Sequence, residues 1–485
     1  MLTIVAFACV SLVIFILKYV FGSSGPNPFE KDCREPLKEK VYDKKEKNKI
    51  LKQGFVASKV PDNLDAVIIG SGVGGLGLAV LLAKVGKKVL VLEQHSRAGG
   101  CCHTFTEKGF EFDVGIHYIG GLMDHTPFRC MLDQMTNGQL QWEKLENLFD
   151  HVVLGPPENR RSYPIYSGSA RYSEELKKRF PGEEKAIDEY LKLLQKTGRG
   201  VWVMAVLKLC PLPLAKFLIH TGLVKHLSYF YKMAPRSLRD VVNGLTENKD
   251  LRAVFSYIFG TYGNIPKDAS FAMHSLLTTH YLSGAWYPKA GSSEIAYHMI
   301  PTIEKAGGAV LVRAPVNRIL WEERSPGKST LTLVSFAKHS WFEEWKDDKV
   351  KNRGPDYKEL KQAFIDSALD VVMDVFPKIT RDKIEYTDAG TPITNTHYLA
   401  APKGEIYGVD HGIARFNPEL NATVRPQTPL KNLYLTGQDV FLCGFAGALA
   451  GALTCGSVIL NRYLHLDAIA LAKRTKYTNN KLKDE

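Results

Sequence analysis

Gly70-Ser71-Gly72-Val73-Gly74-Gly75 is the stretch of this sequence best suited to holding an anion. Gly70 permits a tight turn, Gly72 has no Cβ and lets a pyrophosphate approach the backbone, and Gly75 lets a following helix sit close to the strand before it. The phosphates then meet the first N–H groups and the positive end of that helix. Glu93 follows at the distance, roughly 20 residues, from which an acid accepts hydrogen bonds from the ribose hydroxyls of an adenosine half. His117 and Tyr118 stand next to each other further on and both have a proton to give. Such a pair is more often structural, and residue types alone leave the proton donor unassigned. Cys101 and Cys102 have no other cysteine near them in a metal-ligand spacing, so no metal site is expected.

These residues need elements to hold them. Asp65–Ile69 reads as a short buried parallel strand, Gly77–Val85 as a helix closed by Gly86, and Lys87–Leu92 as a second strand with Glu93 at its end. A glycine run alone is a weak signal. With these flanks and the terminal acid it predicts dinucleotide binding, against the plain alternative of a glycine-rich turn. Two later segments have the same character. Tyr287–Ser292 precedes a helix-like stretch, Gly307-Gly308 and a strand at Ala309–Arg313. Asn432–Asp439 reads as a strand running into a Gly437-Gln438-Asp439 turn, followed by Gly444, Gly447, Ala448, Gly451 and Gly456 on a helix of small residues.

After Glu93 come Arg97, Gly99 and Gly100, and this acid, arginine and glycine pair resembles the flavin-binding N-terminus of the amine oxidase and phytoene desaturase superfamily. The resemblance implies FAD, with Arg97, Gly99 and Gly100 around its pyrophosphate. It also implies that Gly437 and Asp439 lie at the ribityl or phosphate region and that the small-residue helix faces the isoalloxazine ring. Where the superfamily carries Pro-x-Gly-Gly, this chain has Ala290 in place of the first glycine. The implied fold is α/β: a Rossmann-like FAD-binding domain, GR2-like, with an inserted α+β substrate domain.

Asp113-Val114-Gly115-Ile116-His117-Tyr118-Ile119-Gly120, Thr436–Phe441 and Phe342-Glu343-Glu344-Trp345 narrow the resemblance to the retinol saturase family, of the carotenoid and retinoid oxidoreductase branch. That family implies reduction of the 13,14 double bond of all-trans-retinol, with a hydride delivered to one carbon and a proton to the other. A redox-neutral isomerase or a desaturase on the same fold is an alternative. The sequence holds no second strand–glycine–helix unit, so the electrons are expected from transiently bound NAD(P)H or a partner reductase. After Trp321 the chain runs directly into Glu322–Thr330, where the family carries further strands. The chain therefore resembles a shortened form, short on the substrate side, and FAD binding without catalysis is a further alternative.

The formal net charge is +12 over 485 residues. No nucleic-acid module accompanies it. Residues 1–21 form an apolar run, read as a signal peptide or signal-anchor. Behind it, 22–61 reads as a basic linker whose lysines suit anionic headgroups, at about 1 kcal/mol each near the surface. Residues 201–233 are apolar and aromatic, with Lys208, Lys216, Lys225 and Lys232 interspersed, and Pro211 and Pro213 divide them into two helices. They read as core helices or as a surface resting on a membrane. The sequon at Asn421 points weakly to a luminal body. The expected order is FAD-binding parts at 62–150, 287–321 and 429–465, substrate-domain parts at 151–286 and 322–428, and a basic tail at 466–485. The expected location is the endoplasmic reticulum membrane.

Overall fold

The computed structural model describes residues 24–108, 110–124, 126–314, 337–348, 353–375, 380–381, 384, 387–399, 403, 405, 408–429 and 432–484. The apolar run at 1–21 and the expected strand at 331–336 lie outside them.

The described chain enters through helix α1 (Lys44–Leu51), forms strand β1 (Ala66–Ile69), turns into helix α2 (Val73–Ala83) and returns as strand β2 (Val89–Leu92). A hairpin of β3 (Thr104–Glu107) and β4 (Phe110–Asp113) follows. Next come the short β5 (Ile119–Gly120), helix α3 (Pro127–Met135) and strands β6 (Trp142–Lys144), β7 (Leu148–Leu154) and β8 (Arg161–Tyr166). A largely helical stretch holds α4 (Glu184–Gly198), α5 (Trp202–Leu209), α6 (Leu212–His220), α7 (Leu223–Leu227) and α8 (Phe271–Leu282). Strand β9 (Ala285–Pro288), helix α9 (Glu294–Lys305) and strand β10 (Ala309–Leu311) bring the chain back. Helices α10 (Gly354–Val375), α11 (Pro418–Thr423), α12 (Gly444–Ile459) and α13 (Leu464–Asp484) complete it.

β1, β2 and β10 make a parallel sheet in the order β1-β2-β10, with Ala66 opposite Val89 and Ala309 opposite Leu90. Every residue of α2 is buried. Its small and apolar side chains let α9 and α12 close on it. A Cβ on Gly77 would come within 2.8 Å of Leu449. One core gathers Leu76, Leu81, Val91, Ile300 and Leu449 around this sheet. A second gathers Ile187, Leu194, Met204, Phe255 and Phe271. Phe342, Tyr357 and Ile393 form a small third one.

Four expectations change. Residues 22–61 are not a free linker. Phe29 and Leu51 are buried, α1 packs on α9, and Lys47 pairs with the buried Glu294 at 2.5 Å. Periodic apolar positions are sparse there, so lysine density hid an interior made by a few residues. Residues 466–485 are not a plain tail, because Ala468, Leu471 and Ala472 bury against the first core and α13 lies on α3. The strand expected at 432–436 does not join the sheet. It makes one bridge, Gln427 to Tyr434, and leaves Leu433 and Leu435 exposed. A strand needs a paired neighbour, and among the described residues the sheet ends at β1. Asn421 is buried in α11 and its amide oxygen accepts from Tyr231, so the folded chain does not offer the sequon.

Pro211 does separate α5 from α6, with Pro213 in the first turn of α6, but 201–233 holds four helices rather than two, since α7 and a further turn of helix at Tyr229–Met233 follow. Lys208, however, is fully buried, and its Nζ donates to the carbonyls of Asn421 and Val424. Among the described residues no single helix is long and apolar enough to cross a membrane.

Candidate functional site

Three glycine turns meet at the N-terminus of α2. Gly70 has φ +93°, and Gly72 N-caps the helix. A Cβ on Gly75 would lie 2.1 Å from the Gly70 carbonyl, which is why helix and turn can close on each other. Gly99 and Gly100, both at positive φ, bring the second turn in so closely that a Cβ on Gly100 would meet the Gly72 Cα at 2.7 Å. The third is Gly437, at φ +93°. Gly74 would strike its Cα at 2.6 Å and Gly451 its carbonyl at 2.1 Å if either carried a Cβ. In front of Gly70, Gly72 and Gly437, by contrast, a Cβ would meet nothing within 4 Å. The cradle is tight behind and open in front, as a pyrophosphate on the first N–H groups of a helix requires. The sequence-predicted residues Gly70, Gly72, Gly75, Gly99, Gly100 and Gly437 are brought together here.

Glu93 stands at the end of β2, buried. One of its oxygens accepts from the Ser71 N–H at 2.8 Å and the Ser71 hydroxyl at 2.5 Å. The other accepts from the His95 N–H and faces the His95 ring at 2.6 Å. Burial works to raise its pKa, but the bonds from His95 and Ser71 prevail and hold it down at about 2. A ribose hydroxyl would therefore share this carboxylate with Ser71 and His95. The Ser71 hydroxyl also accepts from the Gly99 N–H at 3.0 Å, joining the first two turns. Residue-type reasoning missed Ser71 and His95; their adjacency to Gly70 and Glu93 was the available signal. Arg97 donates to the Thr104 carbonyl at 3.0 Å and to Asn48 at 2.7 Å, so it fastens α1 and β3 to the phosphate loop.

Asp439, just past Gly437, is exposed, and its carboxylate accepts from the Val409 N–H at 2.9 Å. Its carbonyl accepts from the Arg415 guanidinium. α12 begins at Gly444 with Cys443 as its N-cap, and Phe445 in its first turn stacks edge-on against Phe128.

His117 and Tyr118 lie on the loop between β4 and β5, beside the phosphate cradle: a Cβ on Gly115 would touch Cys101 at 3.1 Å. His117 reaches solvent, yet partial burial of its ring lowers its pKa. A series of rings runs from the first turn of α12 to this loop and on to β7: Phe445, Phe128, His280, Tyr281, Tyr118 and Phe149, with neighbouring centroids 5.1–6.2 Å apart. Asp150, on β7, is an electrostatic neighbour of Tyr118, and burial raises the pKa of both. Asp150 was not anticipated; a lone acid in the strand-like Leu148–Leu154 was its only trace. Tyr257 is an electrostatic neighbour of both and lines an apolar cavity of about 390 Å³ with Val152, Leu154 and Phe259. Behind them the buried His274 bonds to the hydroxyls of Tyr190 at 2.9 Å and Tyr262 at 3.1 Å. Among the described residues no cluster of His, Cys, Asp and Glu suits a metal ion.

The NAD(P)-binding Rossmann-like domain family matches residues 68–135. The all-trans-retinol 13,14-reductase of Danio rerio is 57% identical to the chain over 98% of each sequence. The Homo sapiens protein of that name is 38% identical over 95% of this chain and 96% of its own. A Danio rerio protein described as an inactive all-trans-retinol 13,14-reductase is 32% identical over 90% of this chain and 92% of its own. The first alignment spans 598 positions, more than the 485 residues present here, so that relative carries residues without a counterpart inside this chain.

Proposed function

The chain belongs to the all-trans-retinol 13,14-reductase family, and from that premise we propose that it is an FAD-dependent oxidoreductase reducing the 13,14 double bond of all-trans-retinol to all-trans-13,14-dihydroretinol. The observation that carries the reading is the meeting of three glycine turns before the N-terminus of α2, open only on the side a dinucleotide would occupy. FAD, when bound, supplies a carrier of two electrons as hydride.

The chain's own residues do the holding and shaping. Gly70, Gly72, Gly75, Gly99 and Gly100 let backbone N–H groups reach the pyrophosphate, and Glu93, ionised, is the acceptor for the ribose. Gly437 and Asp439 border the next part of the cofactor. The positive end of α12 favours negative charge beside it. The ring series from Phe445 to Phe149 gives an apolar wall for a polyene. Such a wall excludes water from the reacting carbons.

Electrons reach this site from transiently bound NAD(P)H or from a partner reductase. Trp202, Phe217, Leu223 and Leu227 are exposed on α5–α7 beside the exposed Lys216, His220 and Lys225. This apolar and basic face supports docking on the endoplasmic reticulum membrane, from which a lipophilic alcohol would enter. A second reading is favoured by the 598-position alignment: a form that keeps the flavin cradle but lacks part of the substrate wall, and binds FAD without turnover.

Purified chain, reduced chemically and given all-trans-retinol, separates the two. A yellow protein that yields a dihydro product absorbing at shorter wavelength bears out the reductase. A yellow protein that leaves retinol intact establishes the second reading, and a colourless one overturns both.

A further inference from the structure

We propose that the chain binds a lipid carboxylate, a long apolar chain ended by one acid group, in a cavity walled by β7 and the helices Leu238–Asn243 and Lys249–Ser256. The proposal does not depend on the reductase reading.

Each of the three elements gives the cavity one face. Val152 and Leu154 stand two residues apart on β7 and so share a side of the strand. Arg239, Val242 and Asn243 fall at i, i+3 and i+4 on the first helix, and Arg252 and Ser256 at i and i+4 on the second. Other faces of the two helices bury Leu238, Val241, Leu251 and Val254 in the second core, which places the cavity there and not in the core of the flavin cradle. Tyr257 and Phe259, just after the second helix, add aromatic surface. The volume of about 390 Å³ lies within the range of small-molecule pockets, about 300–1,000 Å³. Arg239 and Asn243 are exposed, so the cavity opens to solvent on their side.

Two cations stand on this largely apolar wall, and a printed bond joins their positions. The Arg252 guanidinium donates to the Asn243 carbonyl at 3.4 Å, one turn along the helix from Arg239. It is held in place by a further bond to the Thr246 carbonyl at 2.6 Å. No carboxylate is among the lining residues. The acids paired with the two arginines, Glu247 and Asp240, are 94% and 61% exposed, and pairs so solvated contribute at most about 1 kcal/mol. Among the described residues the side-chain bonds of Arg252 leave from Nε and Nη2 and that of Arg239 from Nε. Of the five N–H groups on each guanidinium, some are thus left for another anion.

The ligand class follows from the two kinds of surface. A carboxylate has two oxygens to accept from the guanidiniums, and such charge-assisted bonds are stronger than neutral ones. The apolar wall takes the chain behind it. A sugar phosphate would leave that wall uncovered, and an alcohol such as retinol would give the arginines only a neutral acceptor.

Isothermal titration of the purified chain with sodium oleate and with all-trans-retinoate, each below its aggregation threshold, tests the site. Oleyl alcohol is the uncharged control. At least one acid is expected to bind, at least about tenfold more tightly than oleyl alcohol. The tighter of the two tells whether the chain is fatty or retinoid. Arg239→Met and Arg252→Met are each expected to weaken the acid at least about fivefold and to leave the alcohol unchanged. Arg239 is 51% exposed and bonded through its side chain to Asp240 at the surface, so its variant carries the test if Arg252→Met does not fold. Binding of neither acid, equal affinity for acid and alcohol, or wild-type affinity in folded Arg239→Met overturns the proposal.

Discussion

Ala290 and Lys208 show how single residues bear on this fold. Ala290 holds φ +74° beside Gly291, a backbone that costs an L-residue about 1–2 kcal/mol. Part of that gain is offset by the greater freedom of an unfolded glycine. Ala290→Gly is therefore expected to stabilise the chain by about 0.5–1 kcal/mol, read from urea denaturation. Lys208 is the converse case, a base placed where charge is unwelcome. Burial lowers its pKa to about 6, with Arg415 and Arg425 adding to the effect, against an ordinary 10.5. Between those values the unfolded chain binds the proton and the folded chain does not, so stability rises with pH across that window. Lys208→Met is expected to remove that rise when melts of both proteins are compared from about pH 6 to about pH 10.5. The cradle glycines were legible in the sequence because each has one physical reason to lack a Cβ. Lys208 and Asp150 were not, because burial is a property of the assembled core and leaves no mark on residue type.

At the scale of elements, α1 separates what pattern reveals from what it conceals. Its lysines read as a solvated run, yet Lys47 reaches Glu294, and Arg97 reaches Asn48. Burial tends to raise the Glu294 pKa, while bonds from His298 and Lys47 hold it below the ordinary carboxylate value. Lys47→Ala leaves that carboxylate buried with one partner fewer, and is expected to cost about 3 kcal/mol. The exposed Lys45→Ala is expected to stay within about 0.5 kcal/mol. Equal effects of the two on thermal stability would mean that α1 is not docked. The strand–turn–helix–strand unit of β1, α2 and β2 was legible because its signals are local. The segment at 432–436 has the same apolar pattern but exposes Leu433 and Leu435, since pattern states what a strand would bury and says nothing of whether a neighbour exists.

Taken whole, the molecule has a basic, apolar face on α5–α7 and a flavin cradle beside its small parallel sheet. Trp202 and Leu227 are 57% and 64% exposed, among the most open large apolar side chains described. Flotation with anionic vesicles is expected to carry the chain up, more weakly as salt rises. The double variant Trp202→Ser, Leu227→Ser is expected to reduce the floated fraction at least about threefold at unchanged flavin content. An unaltered fraction would assign the attachment to another part of the chain.

The free side of β1 has a consequence of its own. Parallel sheets are ordinarily covered on both faces. Here β1 pairs on one side only among the described residues, and Val67 and Ile69 stand 55% and 76% exposed. A row of unpaired N–H and C=O groups beneath apolar side chains is a template on which any extended chain adds itself as the next strand. Self-association through this edge is therefore expected to grow with concentration, an outcome that light scattering across a dilution series reads.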